Sequence, residues 1–185
     1  MVAPHPGTYQ LVRSRRRSLA LIIRSDNTLE VRSPLGMPRW RIDRFVREKA
    51  VWINRKRQEN QTKVPIRQET AETAELADRL IHDRIIHLMC LHQLPAPGKI
   101  MIKDLISRWG SCSKTKTISI NRRCARLPET LLDYVIVHEF CHLSQLNHGP
   151  AFWQLLSRHI PDARERRRQL RRYHLVAAAD RRAAP

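Results

Sequence analysis

Residues 131–143 read Leu-Leu-Asp-Tyr-Val-Ile-Val-His-Glu-Phe-Cys-His-Leu, apolar almost all the way round a helix. A helix of that kind is built for a core, not a surface. Yet it carries His138, Glu139 and His142, two imidazoles and a carboxylate whose burial without partners is costly. Histidines four apart point from one helix face, with Glu139 beside the first. A divalent cation is the simplest partner for all three, and His-Glu-x-x-His is the arrangement with which a zinc hydrolase holds its metal and activates a water. Two core histidines bonded to backbone, with Glu139 reaching water, would leave a third histidine, His148, unexplained.

His148 lies ten residues beyond His138, about 15 Å along an unbroken helix and out of reach of a shared metal. The helix must therefore end and the chain turn back. Asn147 tolerates a left-handed conformation, and Gly149-Pro150 forbids helix continuation, so the stop falls where the geometry needs it. His138, His142 and His148 then give one zinc per chain three ligands and leave a fourth position for water, the open coordination of a catalytic site. Zinc lowers the pKa of that water towards about 7, and Glu139 takes its proton and returns it to the leaving group.

The spacing of the three histidines equals that of the metzincins, which carry glycine where this chain has Gln145. A closer resemblance is to the SprT-like and, above all, the YgjP-like zinc metallopeptidases. Their pattern is matched by His138, Glu139, His142, His148-Gly149 and the aromatic pair Phe152-Trp153, and Arg108-Trp109-Gly110-Ser111-Cys112-Ser113 is similar to the group's second signature. The basic strand-turn-strand and helix at the start of the chain also resemble the group's N-terminal part. The resemblance implies a zincin-like α+β fold in which the metal helix lies beside a small antiparallel sheet, preceded by a β-hairpin and helix. It implies hydrolysis of a peptide bond in a peptide or protein substrate. Arg108, Ser111 and Ser113 are candidate substrate-binding residues beside the site.

Hydrophobic patterning orders the rest. A hairpin is expected from Leu19-Ala20-Leu21-Ile22-Ile23, a polar turn at Ser25-Asp26-Asn27, and a half-exposed strand Leu29-Glu30-Val31-Arg32. Trp40, Ile42, Phe45, Val46, Trp52 and Ile53 recur at helical spacing, with both tryptophans in the core. Residues 1–60 thus form a basic hairpin-plus-helix appendage packed on the core, and the polar residues 61–69 a connection. The metallopeptidase-like core spans 70–173, and residues 174–185 form a frayed tail. Within the core, a helix over about 70–92 buries Leu76, Ala77, Leu80, Ile81, Ile85 and Leu88; its histidines, His82, His87 and His92, are left out of the site. Lys99-Ile100-Met101-Ile102-Lys103 and Thr117-Ile118-Ser119-Ile120-Asn121 are paired strands beside the metal helix, where a sheet edge can hold an extended peptide.

Composition limits the alternatives. No apolar run is long enough to cross a membrane, and the first residues lack the apolar segment of a signal peptide, so a cytoplasmic protein is expected. Cys90, Cys112, Cys124 and Cys141 have no Cys-x-x-Cys spacing and are read as free thiols, not ligands. The net charge of +18 is bunched in arginines at 13–17, at Arg122, Arg123 and Arg126, and over 164–172, a density that suits phosphate. Two alternatives follow: a nucleoside triphosphate pyrophosphohydrolase using the same metal with a basic rim to hold nucleotide phosphates, or a nucleic-acid-binding module in which zinc is structural. Oligomeric state is not encoded in any of these features.

Overall fold

The computed structural model describes residues 8–24, 27–68 and 70–176. The chain divides into two compact units that meet in sequence between Lys63 and Val64.

In the first unit, β1 (Tyr9–Ser14), β2 (Ala20–Ile23) and β3 (Leu29–Pro34) form a sheet in the order β1-β3-β2. The expected hairpin is β2 with β3, antiparallel, and β1 adds parallel to β3 on the other side. Two residues of the hairpin's turn, Ser25 and Asp26, lie outside the described residues. As the central strand, β3 is buried on both faces, not half-exposed: Leu29 and Val31 enter the core, and Glu30 is buried as well. Glu30 tolerates this because Arg32 and Arg24 bond its carboxylate, holding its pKa below the ordinary carboxylate value. Helix α1 (Arg39–Glu48) ends at Lys49, and α2 (Ala50–Gln61) starts at the next residue. Ile42, Val46 and Ile53 pack with Leu29 and Val31, and Trp52 lies against them. Trp40 does not join: it is 63% exposed, and the Arg44 guanidinium lies over its ring. Its position in the first turn of α1 rotates it off the face that carries Ile42 and Val46.

The second unit begins with β4 (Val64–Ile66), within the stretch expected to be only a connection. It pairs in parallel with β8 (Tyr173–Leu175), so His174 and Leu175 belong to a strand where fraying was expected. The Val176 N–H donates to Ile66 O, and its carbonyl accepts from the buried Arg123. Residues 177–185 of the expected tail lie outside the described residues.

Helix α3 (Ala71–His92) opens on Thr70, whose N–H donates to Thr73 Oγ1, and closes on Gln93 in the left-handed region. Its buried face is Ala77, Ile81, Ile85 and Leu88, the stripe that a helix presents at spacings of three and four. Leu76 and Leu80, expected inside, are 66% and 48% exposed because they fall just off that stripe.

Strands β5 (Lys99–Lys103), β6 (Gly110–Cys112) and β7 (Thr117–Asn121) form a sheet in the order β5-β7-β6. The two strands expected from the sequence do pair, but in parallel; the antiparallel partner of β7 is β6, formed from the Arg-Trp-Gly-Ser-Cys-Ser signature. The small sheet is thus mixed, with β6 at one edge. Its Asn121 end leads through a 3₁₀ turn (Arg122–Arg126) to α4 (Glu129–Cys141). Every residue from 131 to 137 of α4 is buried, as its uniformly apolar sequence requires. Arg84 of α3 grips Asp133 with both arms of its guanidinium at 2.6 and 2.8 Å, and also meets Glu129 at 2.8 Å, fixing α4 against α3. Helices α5 (Pro150–His159) and α6 (Ala163–Leu170) complete an α+β unit, with Phe152, Leu156, Ile160 and Ala163 in the same core.

Arg122 bonds Asp78 and Asp104, and the side chain of Arg123 is 3% exposed, with Asp104 at 3.6 Å. These two arginines, which the density of charge had suggested for phosphate, therefore hold the unit together.

Candidate metal centre

His138 lies in the last turn of α4, and His142 is the residue on which that helix ends. The helix unwinds through tight turns, with Leu143 N donating to Phe140 O and Ser144 N to Cys141 O. The chain then extends to Gly149, which precedes α5 with φ −76 and ψ −177. Asn147 is not left-handed: among described residues other than glycine only Asn27, Gln93 and Lys116 have positive φ. The return is made by helix unwinding and a bend at Asn147 instead, and it brings His148 back over the helix end. Pro150 then sets the first turn of α5.

The return brings three ring nitrogens to one point. His138 Nε2 lies 3.2 Å from His142 Nε2 and 2.9 Å from His148 Nε2. His142 Nδ1 lies 2.8 Å from Gln145 O, and since a carbonyl only accepts, Nδ1 carries the proton and Nε2 presents its lone pair. Phe152 lies under the cluster, stacked on His142 at 4.6 Å and edge-on to His138 and His148 at 4.8 and 4.7 Å. Burial, then the neighbouring imidazoles and Arg167, push His138 down to about 3, so it stays neutral at physiological pH; His148 is lowered for related reasons. Lone pairs crowded onto one point repel one another unless a cation lies between them. These three are the group of histidine, cysteine or acidic side chains able to hold a metal among the described residues. The donor set, neutral and all nitrogen, fits zinc.

Glu139 lies next in sequence to His138 and is 7% exposed. Burial pushes its carboxyl up to about 8, with Arg108 pulling the other way, which puts it among the groups that exchange protons near neutrality. Strand β6 passes hard against it. A Cβ on Gly110 would stand 2.6 Å from Glu139 Cγ and 2.7 Å from its Oε1, so only glycine lets the strand approach. Gly110→Ala is therefore expected to leave zinc content unchanged but to displace the carboxylate, and a displacement of about 1 Å costs on the order of 100-fold in rate. Metal analysis and kcat/KM of the zinc-loaded variant check this; an unaltered rate would mean the carboxylate position does not matter.

The signature residues separate by role. Arg108 is exposed and acts on Glu139 through its charge. Alternation along β6 puts Gly110 and Cys112 on the side of Glu139 and Ser111 on the other, where it pairs with Ser119. Ser113 Oγ accepts from Thr117 N and bonds Thr115 Oγ1, so its hydroxyl closes the turn between β6 and β7. Sequence reasoning missed Asn121, which is fully buried. Its Nδ2 donates at 2.8 Å to the carbonyls of both Leu105 and Arg108, and its backbone N–H donates to Trp109 O. It pins the loop that presents Arg108. The only signal was a polar residue closing an apolar strand, which any cap would give. Tyr134, one turn before His138 with rings 5.6 Å apart, was missed too; burial pushes its phenol up to about 12. All four cysteines are free; burial raises Cys112, Cys124 and Cys141, which suits thiols that stay protonated and off the metal.

Residues 17–94 and 73–173 match the family described as YgjP-like, metallopeptidase domain. No curated protein matches the chain. Among solved structures, the metallopeptidase zymogen jannalysin of Methanocaldococcus jannaschii is similar at 27% identity, with 49% of this chain and 92% of that one covered and a TM-score of 0.43. The metallopeptidase zymogen abylysin of Pyrococcus abyssi is similar at 24% identity, with coverages of 52% and 99% and a TM-score of 0.44. No helix among the described residues is long and apolar enough to cross a membrane.

Proposed function

The chain belongs to the YgjP-like family of metallopeptidase domains, and from that premise we propose that it is a zinc-dependent peptidase with Glu139 as its general base. The observation that carries this is the meeting of three imidazole nitrogens beside a buried carboxyl at a sheet edge. Zinc held by His138, His142 and His148 supplies Lewis acidity to a carbonyl and acidifies a water.

The chain's own groups do the rest. The Gln145 carbonyl fixes the tautomer of His142, and Phe152 backs all three rings so that they cannot rotate away. Glu139 accepts a proton from the attacking water and delivers it to the leaving nitrogen. The backbone of β6, at the sheet edge and against Glu139, takes an extended substrate by main-chain hydrogen bonds. Arg108 carries the side-chain contact with substrate expected of the signature, while Ser111 and Ser113, whose backbones face β7, hold β6 in place and leave the free edge to Gly110 and Cys112.

The discriminating experiment offers the zinc-loaded protein a complex peptide pool and, separately, nucleoside triphosphates. New peptide termini read by mass spectrometry, with no release of phosphate or pyrophosphate, are the expected result. Triphosphate hydrolysis with an intact peptide pool would overturn the proposal.

A further inference from the structure

Two cavities meet at Trp153. One, of 460 Å³, is lined by the metal-site residue His148, Trp153, Ser157 and Arg164 among others. The second, of 300 Å³, is lined by Trp153, Arg164, Arg167, Arg168 and Arg171. Sharing Trp153 and Arg164, they make one surface groove that is bordered by His148 at one end and by four guanidinium groups at the other.

The four arginines fall at spacings of three and four, so α6 and the residue after it turn them to one side. All four are exposed. Arg168 pairs with Glu165, and Arg166, on another face, is drawn off by Asp162. Arg164, Arg167 and Arg171 form no ion pair with a carboxylate among the described residues. Arg167 lies with its Cζ 5.0 Å from the centre of the Trp153 ring, and that ring is 6.3 Å from the ring of His148. The path from His148 to Arg167 is therefore roughly 11 Å at most, about three residues of extended chain.

We infer that this groove is a subsite for acidic side chains of the peptide substrate, within about three residues of the bond that is cut. The inference rests on the peptidase reading and adds the substrate's chemistry to it. Guanidinium forks without internal counter-charges match carboxylates, and a groove that begins at a metal ligand is filled by whatever chain reaches that metal. A nucleic acid fits less well. One face of a short helix offers a phosphate backbone only four contacts, and Trp153 has Arg167 over its ring and Phe152 edge-on at 5.5 Å, which leaves it a poor platform for bases.

The test uses the full chain loaded with zinc, beside an Arg164→Gln/Arg171→Gln variant whose changes lie on the exposed face. Cleavage sites in the peptide pool are read for residues near the cut. Binding of a labelled Glu-rich hexapeptide, a Gln-rich analogue and a single-stranded oligonucleotide of equal charge is read by anisotropy. The expected result is enrichment of Asp and Glu within about three residues of the cut, with the Glu peptide bound over its Gln analogue. In the variant the enrichment disappears, and KM for a Glu-containing substrate rises roughly tenfold. Peptide cleavage with no acidic preference, or with a preference the variant keeps, overturns the subsite and leaves the peptidase. Glu-peptide binding lost in the variant, with no peptide cut, sinks the peptidase reading and leaves the groove as an acidic-peptide site. Tighter binding of the oligonucleotide than of the Glu peptide, also lost in the variant, overturns it in favour of nucleic acid.

Discussion

Glu139→Gln is expected to lower peptide hydrolysis by about 10² to 10⁴-fold while the fold and the zinc content stay as they were. The size follows from the role. The amide has nearly the carboxylate's shape and fits the same space against Gly110, but it cannot take a proton from water. Burial already pushes the carboxyl up to about 8, so the site accepts a neutral group there at little cost in stability. The three imidazoles keep their own supports, Gln145 O for His142 and the Phe152 ring for all three. Zinc analysis, a thermal melt and kcat/KM on one peptide separate these effects. A variant that keeps its zinc and also its rate would remove Glu139 from the chemistry.

The parts of this site that were legible in the sequence are those whose logic is local. Two histidines four apart on an apolar helix, an acid between them and stop signals flanking the third histidine all lie within residues 138–150, and each constraint is met within a few residues of its cause. Even there, the turn was right in place but not in mechanism, since unwinding of α4 does what a left-handed Asn147 was expected to do. What escaped is what long-range packing decides. Gly110 reads as a turn residue until β6 is laid against Glu139. Asn121 reads as a strand end until Leu105 and Arg108 direct their carbonyls at it. Arg122 and Arg123 read as a phosphate patch because their partners, Asp78, Asp104 and the Val176 carbonyl, are distant in sequence. The parallel pairing of β5 with β7 was missed because patterning shows a strand, not its neighbour's direction. The arginines of α6 are the reverse case. Composition marked them, but only the fold shows that they line a groove beside Trp153, next to the one that His148 borders.

Loss of one ligand is the second large effect, and His148 is the ligand to remove. His142 is buried and stacked on Phe152, so its loss would disturb the core, whereas His148 is exposed and its removal leaves packing nearly intact. An outer partner of a metal ligand is worth about 10- to 100-fold in affinity, and a ligand itself more than that. Hydrolysis in His148→Ala should fall with the metal, because His138 and His142 alone offer two nitrogens where a catalytic zinc takes three protein ligands.

The most direct measurement is the zinc-to-protein ratio of untagged protein purified without chelator, beside His148→Ala prepared identically. The three-imidazole centre predicts about one zinc per folded chain and little or none in the variant. A folded, unmutated protein that takes up no stoichiometric metal even with zinc added, or a His148→Ala variant that keeps the full complement, would contradict it.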